Sequence, residues 1–78
     1  MSNTIKRAKA RAEQLQLTTT ETTTTDNKKL LFISLENIID GSAIKIDRKI
    51  ESELFKYLKR AKINFEDRGY YSAIAIIE

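Results

Sequence analysis

The sequence predicts a small α+β domain in which one helix packs on one face of a three-stranded sheet, in the order β-β-α-β. Three observations predict this fold. Two short apolar segments flank Asp40 and Gly41, which is the pattern of a β-hairpin. An apolar stripe with helical spacing follows the hairpin. A third apolar run then covers residues 70–77 and supplies the last strand.

Composition divides the 78 residues into three parts. Residues 1–17 are a basic N-terminal arm, residues 18–27 are a flexible linker, and residues 28–78 are the α+β domain. Seven of the ten linker residues are threonine and none is apolar, so nothing anchors the linker to a core.

The arm has the spacing of an amphipathic helix, because Ile5, Ala8, Ala12 and Leu15 recur at intervals of three and four. A helix of this length is marginal alone in water, so we expect it to order on contact with another surface. Three interpretations stay open for the arm: a frayed terminus without a partner, a segment that contacts nucleic acid, and an organellar targeting peptide.

The hairpin pairs a strand at residues 29–36 with a strand at residues 43–47. Asp and Gly tolerate the positive φ angles of a type I′ turn. The register that this turn sets places Glu36 opposite Lys45. Five apolar residues then share one face of the sheet: Leu31, Ile33, Leu35, Ile44 and Ile46.

Asp47 is suited to cap a helix that begins at Arg48. The apolar residues Ile50, Leu54, Leu58 and Ala61 then repeat at helical spacing. Cations in the last turns complement the partial negative charge of the helix end, and we expect the helix to end near residue 62 or 63.

The run at residues 70–77 is apolar on both faces, which is typical of a strand inside a sheet or against another chain. One helix covers one face of a sheet, so the other face must pack against the arm helix, a second copy of the chain or a different protein. The predicted partner-binding residues are Leu30, Phe32, Ile38, Ile74, Ile76 and Ile77.

Nucleic-acid binding is the alternative, because lysine and arginine neutralise phosphates and tyrosine stacks on bases. The ordinary explanation of cations at a helix end is dipole complementarity and solubility. The alternative nucleic-acid-binding site would be formed by the basic arm, the end of the helix that follows Asp47 and the residues after that helix. It consists of Lys6, Arg7, Lys9, Arg11, Lys56, Lys59, Arg60, Lys62, Arg68 and Tyr70.

The chain contains no cysteine and no histidine. Disulfides are therefore excluded, and the residues most used in catalysis and in structural zinc sites are missing. Two glycines cannot form a nucleotide-binding loop. We expect no enzymatic activity, no cofactor, no metal, no small-molecule substrate and no membrane span. The expected function is protein binding by an inhibitor, accessory subunit or dimerising regulator, in an intracellular and cytoplasmic location.

Overall fold

A computed structural model describes residues 4–68 and 72–77 and confirms the α+β class. The elements, in chain order, are α1 (Thr4–Gln14), β1 (Thr19–Thr23), β2 (Lys29–Ser34), β3 (Glu36–Ile39), β4 (Ser42–Lys45), α2 (Arg48–Arg60), β5 (Glu66–Arg68) and β6 (Ala73–Ile77). The strands pair antiparallel in a four-stranded sheet of order β1-β2-β6-β5 and a two-stranded sheet of β3 and β4. The predicted three-stranded β-β-α-β arrangement is therefore not observed.

Helix α1 forms in the predicted arm and is part of the folded core. Its apolar spacing buries Ile5, Ala8 and Ala12 on one side of the helix. The helix ends in a Schellman motif, in which Gln16 has a φ of 61° and the Leu17 amide donates to the Ala12 carbonyl at 2.9 Å. Leu17 is also buried, so the interpretation of the arm as a frayed terminus is wrong for this segment.

Strand β1 lies inside the predicted flexible linker of residues 18–27, and that prediction is wrong for Thr19–Thr23. The strand pairs along its whole length with β2, from Thr19 opposite Ile33 to Thr23 opposite Lys29. Threonine favours strands because its branched Cβ fits the extended backbone. An edge strand can form from polar residues, since its stability comes from pairing with a neighbour that supplies the apolar side chains.

The predicted hairpin register is confirmed between β3 and β4, with Glu36 opposite Lys45. The turn residues Asp40 and Gly41 have φ angles of 51° and 79°, as a type I′ turn requires.

The predicted strand at residues 29–36 is divided between β2 and β3, which places the hairpin outside the main sheet. The Ser34 hydroxyl donates to the Glu36 carbonyl at 2.9 Å and accepts from the Glu36 amide at 3.2 Å, which bends the chain at Leu35. Ile44 is consequently 48% exposed, contrary to the prediction that it shares the apolar face of the sheet.

The helix predicted after Asp47 is confirmed as α2. The Asp47 carboxylate accepts a hydrogen bond from the Lys49 amide at 2.8 Å, which satisfies a free donor of the first turn. The helix ends at Arg60, slightly earlier than predicted, because Lys62 takes a φ of 57° and the chain turns in a second Schellman motif.

The last predicted strand is confirmed over Ala73–Ile77 as β6, in the interior of the main sheet between β2 and β5. Glu66–Arg68 form β5, which pairs antiparallel with β6 on the side away from β2. The two-residue alternation of β2 and β6 sends every second side chain to the same face of the sheet.

One face of the main sheet packs against both helices, and we call it the covered face. It carries Leu31 opposite Ile76 and Ile33 opposite Ile74, all four 0% exposed. These residues form one core cluster with Leu54 and Leu58 of α2 and with the three buried residues of α1. The second helix of this layer is α1, the arm helix. It is one of three alternatives that the sequence predicts could pack on a face of the sheet, beside a second copy of the chain and a different protein.

Candidate protein-interaction surface

The opposite face of the main sheet carries an apolar stripe, which consists of Leu30, Phe32, Ala73, Ala75 and Ile77. Across the two central strands, Leu30 lies opposite Ile77 and Phe32 opposite Ala75. Ile77 is 48% exposed, Leu30 and Phe32 are partly buried, and the small Ala73 and Ala75 are buried, at 8% and 1% exposure. Among the residues that the structure describes, both helices pack on the covered face. No described helix therefore covers the apolar stripe on the opposite face.

Phe32 is the largest side chain of the apolar stripe and lies at its centre, where it is partly buried. Small residues surround it, since Ala75 is its cross-strand partner and Ser34 lies opposite Ala73 one level further along the strands. A shallow depression therefore lies beside the ring. Its lining residues are Thr18, Thr20, Phe32, Ser34, Arg68 and Ala73.

The depression continues onto the β3–β4 hairpin. A second depression is also lined by Thr18 and Ser34, and it extends to Ile38 and Ile39 at the end of β3. Ile38 is 72% exposed and Ile39 is 52% exposed. The hairpin therefore adjoins the apolar stripe at Thr18 and Ser34, across a depression that the polar Glu36 also lines.

Two polar rows border the apolar stripe, one on each edge strand. The β1 row consists of hydroxyl groups, with Thr20 opposite Phe32 and Thr22 opposite Leu30. The β5 row carries Glu66 and Arg68, whose side chains form an ion pair. Arg68 Nε lies 3.0 Å from Glu66 Oε1, and Arg68 Nη2 donates to Glu66 Oε2 at 3.2 Å. The rim of this surface is thus polar and close to neutral, as in many protein interfaces.

The predicted partner-binding residues fall into two groups. Leu30, Phe32 and Ile77 lie together on the apolar stripe, and the adjoining hairpin supplies Ile38. Ile74 and Ile76 do not join them, because both point to the covered face and are 0% exposed. Their prediction as partner-binding residues is wrong, since alternation along β6 divides the apolar run between the two faces.

The predicted nucleic-acid residues of the arm are partly occupied within the fold. Lys9 Nζ lies 3.3 Å from Glu21 Oε1 of β1. Arg11 Nη2 lies 3.4 Å from Glu53 Oε2 of α2, and the Arg11 guanidinium lies 5.6 Å from the centroid of the Tyr57 ring. Two of the four arm cations therefore hold α1 to its neighbours, whereas Lys6 and Arg7 are exposed.

The remaining predicted cations lie on two sides of the sheet. Arg68 is half-buried on the side of the apolar stripe, and α2 packs on the covered face. Tyr70 lies outside the described residues. The last turns of α2 and the residues after it carry four exposed cations together: Lys56, Lys59, Arg60 and Lys62.

Sequence reasoning missed the small and polar residues of this surface. Ala73 lines the depression beside Phe32, and the threonines of β1 form one rim. The high β-propensity of threonine was an available signal for β1. No pattern in the sequence could indicate which residues lie opposite each other across β2 and β6, because these strands are far apart along the chain.

Comparisons of this chain with protein-family models, with curated proteins and with solved structures gave no match. The geometry alone therefore defines its class, a small α+β protein with two helices on one face of a four-stranded antiparallel sheet. Within the described residues, no helix has the length and apolar character to cross a membrane.

Proposed function

We propose that this chain is a non-enzymatic protein-interaction module that binds its partner through the apolar stripe. One observation carries the proposal: both helices lie on the covered face, and on the other face the apolar stripe presents Ile77, which is 48% exposed, beside the partly buried Leu30 and Phe32. Contiguous apolar surface with a polar rim is characteristic of interaction sites.

The composition of the apolar stripe supports protein contact. Phe32 stands at the centre of the surface, where aromatic anchors contribute most to binding. The flanking rows offer hydroxyl groups and one paired carboxylate and guanidinium, which suit a rim that remains partly hydrated. The absence of His and Cys from the chain is the basis for proposing binding rather than catalysis.

Affinity capture with the immobilised intact chain tests this function, with every captured protein, including further copies of the chain, identified by mass spectrometry. We expect Phe32→Glu and Ile77→Glu each to reduce capture at least about tenfold, because a charge would be desolvated in the interface. Lys56→Glu on α2 is the matched control and should capture normally. Circular dichroism verifies that each variant is folded. Equal capture by all variants would refute the proposal.

Nucleic-acid binding remains the second candidate, supported by the exposed cations at the end of α2. Removing the arm cannot test it, because α1 belongs to the core. The better test is a mobility-shift titration at low and high salt with the intact chain and with a Lys59→Glu and Lys62→Glu double variant. Binding by cations predicts weaker affinity and a shallower salt dependence for the double variant. No shift of the intact chain at low salt would end this alternative.

A further inference from the structure

We propose that a shallow depression along α2, the α2 depression, binds single-stranded nucleic acid, with one base against the ring of Phe55 and the neighbouring phosphates on Arg48 and Lys59. The proposal rests on nucleic-acid binding, the second candidate function, and adds the site and the form of the nucleic acid. It is independent of the apolar stripe, because α2 packs on the covered face. The residues that line the α2 depression are Arg48, Glu51, Ser52, Phe55, Lys56 and Lys59.

Four of the lining residues lie in one row along the helix, because they are spaced by four, three and four positions. The row consists of Arg48, Ser52, Phe55 and Lys59. From Arg48 to Lys59 it is about 16 Å long, at a helical rise of about 1.5 Å per residue. A stacked single strand covers this length with about five nucleotides, at about 3.4 Å for each. The row therefore contacts a short stretch of strand, with the aromatic ring between the two cations.

The charge of the α2 depression complements a polyanion. Arg48, Lys56 and Lys59 are all exposed, and Glu51 supplies the one carboxylate of the lining. Three cations and one carboxylate give the lining a net charge of +2. Among the described residues, the cations that form ion pairs belong to α1 and β5, and none belongs to α2. The three cations of the lining can therefore each bind a phosphate and release its counterions.

The position of Phe55 favours a nucleic acid over an acidic protein. It is the one apolar side chain among the described residues that line the α2 depression. A partner helix would need a row of apolar contacts at intervals of three and four, whereas a single ring is enough for a single base. The Phe65 ring lies 5.3 Å from that of Phe55, between centroids, and holds it in place before a base binds.

The same ring favours a single strand over a duplex. Bases in a duplex are paired and stacked on one another, so their faces are not accessible to a side chain. An unpaired base in a single strand can stack on an aromatic ring, and this contact tolerates any sequence because every base has such a face.

Fluorescence anisotropy with labelled oligonucleotides of about ten nucleotides tests the base contact on the full chain. Oligouridine and oligothymidine serve as probes, and the tighter of the two identifies RNA or DNA as the source of the ligand. Phe55→Leu keeps an apolar side chain without the ring and should weaken single-strand binding about tenfold. Phe55→Tyr keeps the ring and should bind like the intact chain. Neither substitution should change binding of a duplex. Circular dichroism verifies that both variants are folded.

A second pair of variants tests the phosphate contact. Lys59→Gln removes one cation of the row, so the slope of log affinity against log salt concentration should become shallower by about 0.7, the value for one phosphate of a single strand. Lys28→Gln removes an exposed lysine just before β2 and is the control, which should leave the slope unchanged. Equal slopes for these two variants would contradict the proposed site.

The outcomes separate the site from the function on which it rests. No binding of either oligonucleotide by the intact chain at low salt overturns the proposal together with the nucleic-acid candidate. Binding that Phe55→Leu does not weaken, or a duplex affinity that it weakens equally, overturns the site while nucleic-acid binding stands. Displacement of the oligonucleotide by polyglutamate at an equal concentration of charge would assign the α2 depression to acidic proteins and overturn the proposal.

Discussion

The two faces of the main sheet are made by the same strands yet differ in burial. On β6, Ile74 and Ile76 are 0% exposed on the covered face, and Ile77 is 48% exposed on the other. All three are isoleucines, so side-chain hydrophobicity cannot explain the difference. The two helices supply the layer that excludes water from Ile74 and Ile76. An apolar residue thus belongs to the core or to a binding surface according to what packs against it.

Removing residues 1–17 should abolish the difference in burial between the two faces. We expect this deletion to have the largest effect on stability. The deletion removes the buried residues Ile5, Ala8, Ala12 and Leu17, and it exposes the covered face beneath them. The lost burial is on the order of 5 kcal/mol, which is comparable to the whole stability of a small domain. We expect the truncated chain to lose chemical-shift dispersion in an amide correlation spectrum. Lys6→Ala, at an exposed position of the same helix, is the control and should preserve it.

A pair of substitutions on one strand should measure the difference between the two faces directly. Ile74→Ala leaves a cavity in the core and should lower the free energy of unfolding by about 2–5 kcal/mol. Ile77→Ala removes the same atoms from a half-exposed site and should cost less than about 1 kcal/mol. Urea denaturation at one fixed, low protein concentration checks both values. Equal losses would mean that the two faces are equally buried in solution.

The local elements could be predicted from the sequence because each depends on a few neighbouring residues. The turn at Asp40 and Gly41 set the hairpin register, and Asp47 marked the start of α2. The arrangement of these elements could not be predicted in the same way. The arm has the pattern of an amphipathic helix, but that pattern does not specify the surface that the helix covers. The threonine run has low hydrophobicity, and its pairing with β2 is a tertiary contact that overrides the signal for disorder.

The candidate site was predicted in part for the same reason. The sequence shows that the last strand is apolar on both faces, but it does not show which of its residues point to which face. The pairing of β2 with β6 in register determines this. That pairing assigns Leu30, Phe32 and Ile77 to the apolar stripe, and it assigns Ile74 and Ile76 to the core. A shift of one residue would have reversed the two sets. The site therefore depends on a long-range register that local patterns do not contain.

The hairpin of β3 and β4 lies outside the main sheet, and a substitution there should have a smaller effect than Ile74→Ala. Gly41 has a φ of 79° and open space around the position of a Cβ atom, so Gly41→Ala would cost backbone strain without a clash. We expect a loss of about 1 kcal/mol in the free energy of unfolding. Urea denaturation measures it, with Ser42→Ala as the control in the same turn. A loss as large as that of Ile74→Ala would contradict this prediction. It would show that the hairpin contributes as much to the stability of the fold as the core on the covered face does.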